Sequence, residues 1–375
     1  MNSRKDEELP DQPSYALQTA ATAMMEAPDL PYRPPVPKSY SPRIALIGAG
    51  AIAPAHLDAY RTAGFDLAAI CNPTISKAES LRDEFFPHAL ATNDFDMLLN
   101  DSTIEVFDIT PHPQQRIELV ENAVRSGKHV LSQKPFAEDM DTAERLVAIA
   151  KECGVQLAVN QNGRWSPHMA YMREAVQSGL IGDLVSCHTA VHWDHSWIKG
   201  TPFDAMDDLI LFDFAIHWFD FLSSLAGDRL RTVHAMSVVA PNQKARPPLL
   251  AQALVGLDNG QASLIFDAAT LYGHRDTTFI SGTLGSLSSS GPDLGQQQVR
   301  LCTAQGTTQP NLQGTWFNDG FRGAMGELLC AVEEDREPLH SAAGNLKSLQ
   351  LTFAALSSAR SGLPVNIGSV RRRTA

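Results

Sequence analysis

The chain has 375 residues, 43% of them apolar and 19% charged, with 42 acidic against 30 basic side chains and a formal net charge of −12. These values describe a soluble globular protein long enough for two domains, and they exclude nucleic acid as the main partner, which asks for a basic face. No apolar run approaches the roughly 20 residues of a membrane helix. The charged segment Met1 to Leu9 carries no secretory signal, and the five cysteines lack a C-x-x-C pair, so reduced thiols, a cytoplasmic setting and neither a membrane partner nor a metal are expected.

Residues 1–41 are Pro-rich and read as an arm lying over the domain or a neighbouring subunit. A short helix is expected over Tyr15 to Met25, and Pro31 to Pro37 should be extended, because proline fixes φ and removes a donor. At Pro42 the pattern changes. Ile44 to Ile47 has the length of a buried strand, and Gly48, Gly50 and Ala53 follow at G-x-G-x-x-A spacing, a dinucleotide-binding fingerprint. Gly48 permits the tight turn, Gly50 lets the backbone approach a pyrophosphate, and Ala53 lets the next helix pack close. The N–H groups of Ala51 and Ile52 then face the phosphates from a helix N-terminus.

A helix over Ala55 to Ala63 stops at Gly64, and a second strand, Leu67 to Cys71, leads to Asn72-Pro73. Asn72 lies about twenty residues beyond the fingerprint, where this fold places its ribose-reading side chain. It is neutral, its amide oxygen can accept from a ribose hydroxyl, and no arginine follows to grip a 2′-phosphate. NAD is therefore favoured, with NADP possible. Helices over Ser76 to Phe85 and Asp94 to Leu99 precede the strand Val106 to Thr110. That strand opens into Thr110-Pro111-His112-Pro113, with Gln115 just beyond, and a helix over Glu118 to Ser126 ends at Gly127. His129 to Ser132 opens into Gln133-Lys134-Pro135. The helix Asp139 to Glu152 and the strand Val155 to Asn160 complete an alternation expected of a Rossmann-type, doubly wound parallel sheet over residues 42–162. Each functional-looking turn ends a strand at its C-terminal side, where such sheets bind ligands.

Residues 163–375 read differently. Helices are expected at Pro167 to Ser178, Asp207 to Leu225, Phe321 to Glu334 and Leu346 to Ser361. Strands are expected at Leu184 to Trp193, Thr232 to Val239, Ala251 to Leu257, Gln261 to Ala268, Thr277 to Ser281 and Ser286 to Ser290. An Asp258-Asn259-Gly260 turn makes one hairpin, and Gly291 to Gln313 reads as loop. Together these describe an α+β domain on a large, mainly antiparallel sheet flanked by helices.

The series Gly48-Ala49-Gly50-Ala51-Ile52-Ala53, Thr110-Pro111, Gly127-Lys128-His129-Val130-Leu131, Gln133-Lys134-Pro135, Asn160-Gln161-Asn162-Gly163-Arg164-Trp165 and Asp213-x-x-x-His217 resembles the Gfo/Idh/MocA group of nicotinamide oxidoreductases. The resemblance runs from Pro42 to the C-terminus. It implies a lysine beside nicotinamide and substrate, here Lys134, preceded by Gln133 where the family more often has glutamate. It also implies a cis Lys134–Pro135 bond and an oligomer that buries the open face of the second sheet. The downstream acid and base map onto Asp213 and His217.

Chemistry supports that mapping. Residues i and i+4 of a helix share a face, so Asp213 and His217 can enter one pocket. Oxidising an alcohol needs a base for the hydroxyl proton while hydride leaves carbon, and an imidazole suits this near neutral pH. Lys134 can donate to the reacting oxygen. Asp213 can tune the imidazole or touch substrate.

Thr110, Pro111, His112, Gln115, Gln133 and Asn162 join the cofactor side. On the substrate side, Arg164 could bind substrate or brace its loop. Trp193, Trp316 and Asp319 are the aromatic and acidic mixture of a sugar site, although aromatic core serves equally for each tryptophan. Adjacent side chains of His192-Trp193-Asp194-His195 alternate faces, which argues against a metal. The expected activity is hydride transfer between NAD and a hydroxyl of an aldose or cyclitol. An NAD-dependent glycoside hydrolase of the related branch and a non-catalytic NAD-binding sensor stay open as alternatives.

Overall fold

The computed structural model describes residues 23–373. The helix expected over Tyr15–Met25 falls largely outside them, and its last residues are extended: Met24 bridges Thr307, whose carbonyl accepts from Met25 N–H at 3.0 Å. Among the described residues no helix is long and apolar enough to cross a membrane.

The first sheet has six strands, all parallel. They are β1 (Arg43–Ile47), β2 (Leu67–Cys71), β3 (Leu90–Thr92), β4 (Ile104–Ile109), β5 (His129–Gln133) and β6 (Leu157–Asn160), ordered β3-β2-β1-β4-β5-β6. Its central strands are apolar on both faces because helices cover both. Ile44 and Leu46 of β1 join one core, while Ala45 and Ile47 join the other. The helices are α1 (Ala53–Ala63), α2 (Ile75–Phe85), α3 (Phe95–Asn100), α4 (Pro113–Arg125) and α5 (Met140–Cys153). Asp139 caps α5 by accepting from Thr142 N–H at 2.7 Å, and Gly154 closes it in the left-handed conformation. β3 escapes sequence reasoning because it is a three-residue edge strand with one buried side chain. α4 begins at Pro113, five residues before the expected start, since proline is well suited to a first helical turn.

The second sheet has nine strands: β7 (Leu184–His192), β8 (Leu230–Val238), β9 (Leu250–Leu257), β10 (Gly260–Asp267), β11 (Arg275–Gly282), β12 (Gly285–Gly291), β13 (Gln298–Thr303), β14 (Gly306–Thr308) and β15 (Val365–Asn366). Among the described residues only the β7–β10 strand pair of this sheet is parallel. β13 and β14 lie inside the Gly- and Gln-rich stretch expected to be loop. Val299 and Leu301 are buried at period two there, a signal too short to stand out among the surrounding polar residues.

One face of this sheet packs on α6 (Pro167–Gln177), α7 (Ile216–Ala226) and α9 (Ala342–Ser361). Helix α8 (Trp316–Glu333) packs instead with α1 on the first sheet, through Phe321, Met325 and Leu328. Residues 23–41 run over their own chain. Tyr32 meets Tyr171 edge-on at 6.1 Å, and the Lys38, Ser39 and Tyr40 N–H groups donate to Glu333 at 2.6–2.8 Å.

The expected helix Asp207–Leu225 is not continuous. A wide turn, Ile210–Phe214, in which Ala215 N–H donates to the Ile210 carbonyl at 2.7 Å, precedes α7. Asp213 lies in that wide turn and His217 in the first turn of α7.

Candidate active site

The C-terminal ends of β1, β2, β4 and β5 lie side by side at one edge of the parallel sheet, the edge at which such sheets bind ligands. Gly48 leaves β1 at φ +103°, and a Cβ there would stand 2.5 Å from Thr110 Oγ1 and 3.0 Å from Pro111 Cδ. Thr110 Oγ1 in turn donates to the Ile47 carbonyl at 3.0 Å, so these two strand ends are tied together. A Cβ on Gly50 meets no protein atom within 4 Å. This open approach at the start of α1, beside the backbone of Ala51 and Ile52, fits a pyrophosphate.

Asn72 has both ends of its amide hydrogen-bonded to the protein backbone. The amide oxygen accepts from Ala49 N–H at 3.0 Å, and its amide nitrogen donates to the Thr74 carbonyl at 3.0 Å. Asn72 thus clamps the glycine loop. Gln133 is buried, its Oε1 accepts from Lys134 N–H at 2.7 Å, and its Nε2 faces His56 Nε2 at 3.1 Å. His112 and Gln115 are exposed at the start of α4, with the His112 ring edge-on to Phe203.

Beyond Gln133 the Lys134–Pro135 bond is cis. Lys134 Nζ donates to the Asp213 carbonyl at 2.8 Å and lies 3.1 Å from its Oδ2. Side-chain exposures of 16% and 20% leave both groups open to solvent rather than sealed within the core. His217 adjoins them. Burial, reinforced by the Lys134 charge, holds its imidazole well below the usual histidine range. Its Nδ1 is buried without a hydrogen-bond partner.

Around His217 stands an aromatic wall. Trp316 meets it edge-on at 5.5 Å and stacks on Trp218 at 6.0 Å, and Trp218 contacts Trp193 at 6.2 Å. Trp193, just past the end of β7, packs against Phe214 and Trp218, with Nε1 buried and unpaired. The fold therefore brings Lys134, Trp193, Asp213, His217 and Trp316 together. Asn162 is buried in the turn after β6, its Nδ2 without a partner.

Two expected substrate ligands are engaged elsewhere. Arg164 is buried and forks onto Asp220 at 2.6 and 2.8 Å, with its third nitrogen on the Leu339 carbonyl. It braces α7 and the segment before α9, because a guanidinium out of water needs every donor paired. Asp319 accepts from Thr315 N–H at 2.6 Å and caps α8. Trp197 is largely exposed and packs on Phe203. His192 lies 3.6 Å from Asp267, while His195 stacks on Trp193, so the two histidines diverge.

Arg116 escaped sequence reasoning. It is fully buried and donates to the carbonyls of Pro111 and Pro135, joining the turns after β4 and β5. Desolvation pulls its pKa to about 9, opposed by the Asp213 charge. The available signal was its place on the apolar stripe of α4 with Val120 and Val124. His195 faces aromatic rings rather than a metal ligand set. Burial lowers its pKa to about 4 against the opposing charges of Asp194 and Asp213, and its ring lies 4.6 Å from Phe214.

Residues 42–161 match the model of the oxidoreductase family, NAD-binding Rossmann fold, and residues 169–288 match that of the GFO/IDH/MocA C-terminal domain. The chain belongs to the Gfo/Idh/MocA family of oxidoreductases. It is 26% identical to D-apiose dehydrogenase of Paraburkholderia graminis, over 87% of this chain and 90% of that protein. To inositol 2-dehydrogenase of Rhizobium meliloti it is 23% identical, over 84% of this chain and 96% of that protein. An oxidoreductase from Agrobacterium radiobacter, crystallised with NAD+, L-tartaric acid and magnesium, has the same fold: TM-score 0.79, 24% identity, 88% of this chain and 99% of that one. As a Gfo/Idh/MocA oxidoreductase the chain uses NAD.

Proposed function

We propose that the chain oxidises a hydroxyl of an aldose or cyclitol, with Lys134, Asp213 and His217 as the reacting set. The observation that carries this reading is the 3.1 Å pairing of Lys134 with Asp213 beside a neutral His217, at the strand ends where this fold binds nicotinamide dinucleotides. Similarity to D-apiose dehydrogenase and inositol 2-dehydrogenase supports a polyhydroxylated substrate.

Bound NAD supplies the hydride acceptor. The His217 imidazole takes the hydroxyl proton, Lys134 donates a hydrogen bond to the same oxygen as negative charge develops, and Asp213 holds the amine in place. In the reverse direction the imidazolium returns the proton. Trp193 and Trp316 offer apolar faces to the C–H side of a sugar ring, and Asn162 lies within the same wall. An aldose oxidised at C1 to a lactone is the first choice of substrate, with cyclitols next.

A screen of NADH formation over aldoses, cyclitols and sugar acids, with NAD and NADP in parallel, tests this reading. Steady NADH formation with one of these classes is expected. Sugar release from glycosides without net NADH would assign the chain to hydrolysis, and NAD binding without any turnover would make it a sensor.

The open face of the second sheet supports a homo-oligomer. Phe279, His188, Ser263 and Leu254 lie in one cross-strand row beside Ile265 and Met236, and the large apolar members are 39–57% exposed. Light scattering should give a multiple of the 40.7 kDa chain mass, and Leu254→Lys should dissociate it. The unpaired state of all five cysteines supports a reducing, cytoplasmic setting.

A further inference from the structure

We propose that Asp108 and His56, both buried, are positioning residues for Lys134, acting by fixing which way the Gln133 amide points. The proposal rests on the role given to Lys134 above.

The polarity of the chain of contacts starts at the backbone. Lys134 N–H can only donate, so the Gln133 atom 2.7 Å away is Oε1. Gln133 Nε2, a donor only, is thereby turned to His56 Nε2 at 3.1 Å, and Asn160 Nδ2 lies 3.4 Å from the same ring nitrogen. A nitrogen faced by two amide donors must present its lone pair. The ring proton therefore sits on Nδ1, which lies 2.6 Å from Asp108 Oδ2.

Asp108 is completely buried, and Tyr60 donates its hydroxyl to the same Oδ2 at 2.6 Å. Burial and the Asp108 charge keep the Tyr60 hydroxyl well above its usual range, so it remains a donor. Phe321 stacks on the imidazole at 4.1 Å and fixes its plane. The groups around the ring are thus Asp108 from β4, Tyr60 from α1, Gln133 from β5, Asn160 from β6 and apolar Phe321 from α8.

Removing the Asp108 charge changes the consequence at each link. With asparagine at 108 the ring is free to carry its proton on Nε2, where it would confront the Gln133 N–H donors. The amide must then rotate, and its nitrogen meets Lys134 N–H. The lysine backbone loses its acceptor at the residue that begins the reacting turn, and Nζ is displaced relative to Asp213 and His217. A bound cofactor's pyrophosphate site is untouched, because Gly48–Ile52 does not take part.

The test uses the full chain with NAD and whichever sugar or cyclitol turns over fastest in the NADH screen. Asp108→Asn and His56→Leu should lower kcat by about tenfold or more while NADH affinity, read by fluorescence, stays at the parental value. His56→Gln can donate to Asp108 and accept from Gln133, and it should retain most of the parental kcat. Nitrogen chemical shifts of labelled histidines read the tautomer without turnover. His56, identified by its loss in His56→Gln, should carry its proton on Nδ1 in the parent and on Nε2 in Asp108→Asn.

An Nε2-protonated His56 in the parent, or a folded His56→Leu with parental kcat, overturns the proposal. So does a kcat loss in His56→Gln as large as in His56→Leu. Parental turnover in Lys134→Met is a separate result: it removes the role of Lys134, and the tautomer readout would stand on its own.

Discussion

The Lys134 amine is held twice by the same residue, through the Asp213 carbonyl at 2.8 Å and its carboxylate at 3.1 Å. The wide turn Ile210–Phe214 presents both groups of Asp213 to one cation. Lys134→Met should therefore lower kcat by about 10²-fold or more by deleting the donor to the developing oxyanion. Asp213→Asn retains the carbonyl contact and should cost less than Lys134→Met. Steady-state kinetics alongside NADH titration checks this, and a loss confined to NADH affinity would refute the assignment.

The acid limb of the kcat–pH profile should lie below about 6.5, the ordinary histidine value. Burial and the Lys134 charge both disfavour the His217 imidazolium, so the neutral base persists as pH falls and is lost only at the lower, depressed pKa. Removing one of those causes in Lys134→Met should move the limb of the residual activity up in pH. His217→Ala should lower kcat by about 10²-fold and leave NADH binding intact. A parental limb at the ordinary value would contradict this.

Gly48→Ala and Gly50→Ala should separate folding from cofactor binding. At Gly48 the new Cβ strikes Thr110 and Pro111 and the residue keeps φ +103°, so thermal stability falls. At Gly50 the Cβ meets only open space, so the melting temperature should hold while NADH affinity drops. Calorimetry and fluorescence titration on the two variants measure both quantities.

Asn72→Asp should raise the preference for NAD over NADP. One oxygen of the new carboxylate can keep the contact with Ala49 N–H, while the other, no longer a donor, turns away from the Thr74 carbonyl and outward from the strand end. A negative charge at this strand end accepts from ribose hydroxyls and repels a 2′-phosphate. The kcat/KM ratio for the two cofactors should move toward NAD by about tenfold, the effect of 1.4 kcal/mol. An unchanged ratio would show that residue 72 does not read the ribose.

Much of this was legible in one dimension because it depends on local periodicity. Apolar runs between Gly- and Pro-containing turns marked five of the six parallel strands, and β3 was missed for want of buried side chains. The hairpin at Asp258–Asn259 follows from residues that adopt positive φ, as Asn259 does at 53°. The helical spacing of Asp213 and His217 suggested a shared pocket, but their approach to Lys134 uses a wide turn whose extra residue leaves no trace in the apolar pattern.

Arg164, Asp319, Asn72 and Gln133 mark the boundary of sequence reasoning. Each is of a type able to bind a ligand, and each is hydrogen-bonded to a distant or neighbouring protein group instead. Residue type limits what a side chain can bond, while its partner depends on which chain segment lies within about 3 Å. The sequence by itself determined the alternating parallel sheet, the glycine fingerprint turn after β1, and the family, since all three are written in spacing. Only the tertiary structure decided that α8 crosses back to pack on the first sheet, carrying Trp316 to His217, and that Asp108 and His56 stand behind Lys134. Those juxtapositions join residues up to 104 positions apart, and burial against a common core, rather than any local pattern, selects them.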